Sequence, residues 1–180
     1  DETAIEKTLA GDQSAFAGIV SRHQLEVMRL CLFVTGEFDT ANNLVKRSFL
    51  AFANNMVSYR NAGDMHPILI DHAAQELLSW IRRGAQTVSP PGSDNEKLAR
   101  AFFFPAEEMK RLQNTTLDQI RDYSIRVATA MAALPPIQKL VAGLCFFEGR
   151  KYLNIGELTG LNHEEVAVTI AQLRSSVLGG

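Results

Sequence analysis

The stretch YLNIGELTGLNHEEVAVTIAQLR, from Tyr152 to Arg174, decides how the rest of the chain is read. Its apolar residues recur at three- and four-residue steps on either side of Gly160 and Leu161, the spacing of two short amphipathic helices joined by a turn. The first is expected over Leu153–Thr159, stopped by Gly160, and the second from His163 to about Leu178. A glycine that accepts a left-handed backbone is the ordinary way to end one helix and start another at a steep angle. The pair has the pattern of a helix-turn-helix, in which the second helix enters the DNA major groove. Spacing alone does not separate a DNA reader from a corner in any small helical bundle.

Working outward, Ile137 to Glu148 forms a helix ended by Gly149, and Pro135-Pro136 stop a longer helical pattern running from Thr116 through Ile120, Tyr123, Val127, Ala130, Met131 and Leu134. Upstream, Gly84 to Asn95 is rich in Ser, Pro and Gly and cannot bury enough apolar area to order itself. The Phe102-Phe103-Phe104 run that follows is too apolar to be left in water, so a short docked helix is expected there.

The amino-terminal part carries the strongest periodicity, with Phe16, Ile19, Val20, His23, Val27, Leu30, Cys31 and Val34 on one stripe. Gly11 and Asp12 punctuate its start and Gly36 its end. Asp39 is expected to cap a third helix with an inward face of Ala41, Leu44, Val45, Phe49, Phe52, Ala53 and Met56. Pro67 opens a fourth, carrying Ile70, Ala73, Ala74, Leu77, Leu78 and Ile81. No segment has strand periodicity. The expected fold is all-α, with two small helical domains, 1–83 and 116–180, joined by a linker at 84–115, the second domain containing the helix-turn-helix.

The 180 residues allow one large or two small domains, and 46% hydrophobic with 21% charged residues is globular composition. A net charge of −2 provides no global basic field, so any nucleic-acid contact needs a local patch. The apolar runs are too short to span a bilayer and the first residues are Asp1 and Glu2 rather than a basic leader, so a cytoplasmic protein without membrane insertion is expected. The missing initiator Met points to a trimmed start. Cys31 and Cys145 sit within apolar helical patterns and read as reduced core residues.

Beyond pattern, Leu134-Pro135-Pro136, Glu148-Gly149, Tyr152, Ile155, Glu157-Leu158, Gly160-Leu161, Val166 and Ile170 resemble the carboxyl-terminal domain of extracytoplasmic-function sigma factors. Gly11-Asp12, Ala15-Phe16, Arg22-His23, Arg29-Leu30, Thr35-Gly36, Asp39, Leu44-Val45 and Phe49-Leu50 resemble that family's amino-terminal domain, in the same order and spacing. The resemblance covers nearly the whole chain except 84–119. It implies helical domains that bind the RNA polymerase core, recognise two promoter elements and are restrained by an anti-sigma factor.

The departures from that family fall on its working surfaces. Its polymerase-binding helix carries an acidic pair after the position of Ala41 and Gln-Glu after Leu-Val, where this chain has Asn42-Asn43 and Lys46-Arg47. Neutralised and reversed charge across an interface costs up to several kcal/mol. The resemblance places Asp39, Asn42, Asn43, Lys46, Arg47 and Phe49 on the polymerase-binding surface. It leaves a thin DNA-facing set of His72, Trp80, Arg82 and Arg83 on the promoter-opening helix, and Arg150, Lys151, His163, Thr169, Gln172 and Arg174 around the helix-turn-helix. Ala167, Thr169 and Gln172 stand where the family favours Lys or Arg, so promoter DNA binding is expected to be weak or absent.

Thr40 and Ser48 flank the neutralised surface, and phosphate on either would restore negative charge there. No Cys, Asp or Glu partner is expected at ligand spacing around His23, which reads as a packed histidine, so no metal and no cofactor are expected. No phosphate loop, nucleophile elbow or catalytic acid pair occurs, which argues against an enzyme. Two readings stay open: a divergent sigma-type transcription regulator, and a sigma-shaped protein that has given up promoter recognition and works by occupying an anti-sigma factor or another regulatory protein.

Overall fold

A computed structural model of the chain describes residues 2–84, 129 and 133–178. The fold is all-α: the described residues form seven α-helices and one 3-10 turn, with no strand among them. In order they are α1 (Glu2–Leu9), α2 (Gln13–Thr35), α3 (Phe38–Asn54), the 3-10 turn (Met56–Tyr59), α4 (His66–Arg82), α5 (Pro136–Phe146), α6 (Tyr152–Thr159) and α7 (His163–Leu178). The expected linker after Gly84, the Phe102–Phe104 segment and nearly all of the helix expected from Thr116 lie outside the described residues. No described helix is long and apolar enough to cross a membrane.

The described residues fall into two compact units. One holds α1, α2 as far as Leu32, α3, the 3-10 turn and α4, and the other holds α5, α6 and α7 and takes in residues 33–37.

In the first unit the helix ends follow local chemistry. Gly11 adopts a left-handed φ of 99° after α1. The Asp12 carboxylate then accepts from the Ser14 amide at 2.9 Å, the Ser14 hydroxyl at 2.6 Å and the Ala15 amide at 3.3 Å, satisfying amides that the first turn of α2 leaves open. Those hydrogen bonds, the Ser14 hydroxyl first, hold the Asp12 carboxyl below its ordinary pKa. Gly36, at φ 71°, ends α2. The next helix begins at Phe38, so Asp39 lies in its first turn rather than at the capping position, where its charge still suits the helix dipole.

Helix α3 buries Ala41, Leu44, Val45, Ser48, Phe49 and Phe52 and packs against α4, which buries Leu69, Ile70, His72, Ala73, Ala74, Leu77 and Leu78. Met56 belongs to the core but stands in the 3-10 turn, beyond the end of α3. The turn also brings Tyr59 onto Phe52, ring centroids 5.4 Å apart and stacked, and sets its hydroxyl 2.8 Å from His72 Nε2. From α2, Ile19, Val27, Leu30 and Cys31 are fully buried, as the periodic stripe requires.

The second unit is a three-helix cluster in which α5, α6 and α7 each pack on the other two. Leu140, Val141, Ala142, Leu144, Ile155, Val166, Ile170 and Leu173 form its core. Lys139 is enclosed with them at 3% exposure, and loss of hydration pushes its ammonium pKa down.

Candidate functional site

The corner between α6 and α7 is closed by backbone rather than by bulky side chains. Gly160 takes φ 80°, and its amide donates to the Gly156 carbonyl at 2.8 Å. Gly156 itself lies so near the outgoing chain that a Cβ there would stand 2.7 Å from the Leu161 carbonyl oxygen. Only a residue without a side chain permits that approach. The Thr159 hydroxyl donates to the Ile155 carbonyl at 2.6 Å and receives the Leu161 amide at 3.4 Å.

Helix α7 starts from a reciprocal capping box. The Asn162 amide donates to the Glu165 carboxylate at 2.7 Å, and the Glu165 amide donates to the Asn162 side-chain oxygen at 2.9 Å. Glu165 is therefore occupied in building the helix start. The N-x-x-E pattern at Asn162–Glu165 was legible in the sequence, although attention to surface charge passes over it.

Around this corner His163, Lys151, Gln172 and Arg174 are exposed and Arg150 is half-buried, so these side chains reach a surface. The His163 ring lies 5.9 Å from that of Tyr152. Thr169 departs from expectation: it is 8% exposed and its hydroxyl donates to the Glu165 carbonyl at 2.8 Å, so the turn before it consumes its polar group. Thr169 is a core-facing residue, not a DNA contact. The exposed side of the corner also carries apolar Leu153 and Val168, at 64% and 46% exposure.

On α3, Asp39, Asn43 and Lys46 are exposed, with Asn42 and Thr40 half-buried. Arg47 reaches across to α4, where its Nη2 meets the Glu76 carboxylate at 2.7 Å. Arg47 is thus a strut between two helices. Phe49 and Ser48 need correction. Phe49 is 5% exposed, because its place in the helical repeat faces α4 and the core. Ser48 is fully buried and donates to the Leu44 carbonyl at 2.8 Å, so no modifying enzyme can reach it in the folded chain.

On α4, Arg82 and Arg83 are exposed and Trp80 half-buried, with Arg83 donating to the Ser79 hydroxyl at 2.9 Å. His72, expected to face DNA, is in the core at 8% exposure and is bound to Tyr59.

His23 also differs from expectation. Glu26, one helical turn along α2, and His66, the first residue of α4, bring their donor atoms and those of His23 all within 4.8 Å of one another. The two imidazole centroids are 6.2 Å apart. Burial pushes the His23 pKa down, opposed by the Glu26 carboxylate. The i, i+3 relation of His23 and Glu26 is visible in the sequence; the arrival of His66 from another helix is not.

No protein-family model matches the chain, and no curated protein sequence does.

Proposed function

We propose that this protein is a bacterial transcription regulator built like an extracytoplasmic-function sigma factor, with its contacts to promoter DNA and the polymerase core weakened. The reading rests on the α6–α7 corner, where Gly156 and the left-handed Gly160 set two short helices at the close approach that a helix-turn-helix requires. The protein acts in the cytoplasm, without catalysis and without membrane insertion. Among the described residues, Arg150, Lys151 and Arg174 are the cationic side chains around that corner, where phosphates would approach. Three such contacts correspond to a log–log dependence of DNA affinity on salt no steeper than about −3.

A second reading has an observation of its own. Leu153 and Val168 are exposed at the corner, beside a helix start bearing Glu164 and Glu165, and that surface suits an apolar protein partner better than a polyanion. On this reading the protein occupies an anti-sigma factor or another regulatory protein.

Transcription and pull-down with purified core polymerase separate the two. The comparison variant combines Asn42→Glu, Asn43→Asp and Lys46→Gln and leaves Arg47 in place, because a carboxylate there would face Glu76. The expected result is weak core binding by the native chain, improved about tenfold or more in the variant. Native initiation equal to that of the variant would refute the weakened surface. Failure of both to bind, with tight capture of an anti-sigma factor, would leave the second reading standing alone.

A further inference from the structure

We propose that His23, Glu26 and His66 form a binding site for a divalent transition metal, zinc being the ion whose chemistry fits, which clips the middle of α2 to the first turn of α4. The site stands independently of the transcription reading.

The donor set is two imidazole nitrogens and one carboxylate oxygen, all half-buried and within 4.8 Å of one another. Ligand atoms around a tetrahedral zinc at about 2.1 Å lie roughly 3.4 Å apart. Closing the set requires the donor atoms to approach one another by up to about 1.4 Å. Three protein ligands leave the fourth position to water or a further donor, and the absence of a thiolate from the set turns it away from soft monovalent copper.

Local structure supports each ligand separately. His23 and Glu26 stand three positions apart on helix α2 and so share a face. His66 is fixed from the other side: its backbone amide donates to the Asp64 carboxylate at 3.0 Å, which anchors the start of α4. The Glu26 Oε2 atom is buried and accepts no hydrogen bond from the described residues. A buried carboxylate oxygen calls for a cation or a donor.

The competing account is a metal-free pair in which a protonated imidazole donates to Glu26. It predicts that mild acid stabilises the contact and that zinc does nothing.

The test uses the full chain after chelator treatment, at pH 7.5. Titration with zinc chloride is followed by calorimetry and thermal melting, and cobalt(II) serves as a spectroscopic probe. The expected results are one zinc per chain, a rise in melting temperature of about 5 °C or more at saturation, and intense tetrahedral cobalt absorption. His23→Gln, Glu26→Gln and His66→Gln should each weaken zinc at least about tenfold, with Gln24→Ala as an unaffected neighbour on α2. Binding should weaken in mild acid, where protons compete with the metal for its donors. Absence of a zinc-dependent shift, or affinity kept within twofold in both histidine variants, overturns the proposal. Should a variant fail to fold, the native cobalt spectrum decides: weak octahedral absorption overturns the site.

Discussion

At the scale of single residues, His72 shows how a core enlists a polar group. Its ring lies among Phe52 and Tyr59, at centroid distances of 6.2 and 5.8 Å, and its Nε2 is 2.8 Å from the Tyr59 hydroxyl. Burial pushes its pKa below the ordinary value of 6.5, with Asp71 and Glu76 opposing the shift. Between the folded and unfolded pKa values the unfolded chain holds a proton that the folded chain does not. Stability from this group is therefore complete above about pH 6.5 and is lost as pH falls below that, until the folded value is passed. Urea midpoints measured from pH 7 down to pH 5 should decline, and His72→Gln should flatten part of the slope. His23, shifted in the same direction, keeps the remainder. An unchanged slope in the variant would show that His72 titrates as freely in the fold as out of it.

At the scale of elements, the α6–α7 corner depends on atoms that are absent. A methyl group at position 156 meets a backbone oxygen at 2.7 Å, and backbone cannot rotate away as a side chain can. Gly156→Ala should lower unfolding free energy by about 1–3 kcal/mol, the usual range for an overpacked site, although alanine favours helix over glycine. Chemical denaturation of the full chain measures it, and an unchanged or raised stability would mean that the corner opens without cost. The strut between α3 and α4 is a different device. Arg47 is about half exposed, so its pairing with Glu76 contributes on the order of 1 kcal/mol or less, yet it keeps the carboxylate matched.

At the scale of the whole molecule, the two cysteines offer a probe of how the chain opens. Cys31 is fully buried in α2 and its thiol is pushed up to about 12 by loss of hydration, with the nearby Glu76 carboxylate adding to the shift. Cys145 is only half-buried, and burial raises its thiol pKa while Arg174 opposes the shift. Because the thiolate is the reacting species, alkylation of Cys31 should wait for opening of the first unit and run at least about a hundredfold slower than in denaturant. Cys145 should react ahead of it. Equal rates at both positions in the native chain would contradict the packing of α2.

The helices themselves were legible in the sequence because their signals are local. Three- and four-residue apolar steps, Gly11, Gly36 and Gly160 at left-handed φ, and Pro67 at a helix start all act within a turn or two of chain. What the sequence could not rank was which polar residue on a helix faces inward. Ser48, His72 and Thr169 have the composition of surface residues, and each is buried because its own helix, or Tyr59 in the case of His72, supplies a hydrogen-bond partner.

By itself the sequence determined an all-helical chain, the start and stop of most described helices, and the apolar faces that became cores. The tertiary structure alone decided that Arg47 spends its charge on Glu76, that Gly156 is required by a carbonyl five residues away, and that His66 arrives beside His23 and Glu26 from a separate helix. Local hydrogen bonding and periodicity are properties of neighbouring residues, whereas the Arg47 and His66 contacts depend on how helices cross, and the Gly156 contact on how the chain leaves its helix, which only packing sets.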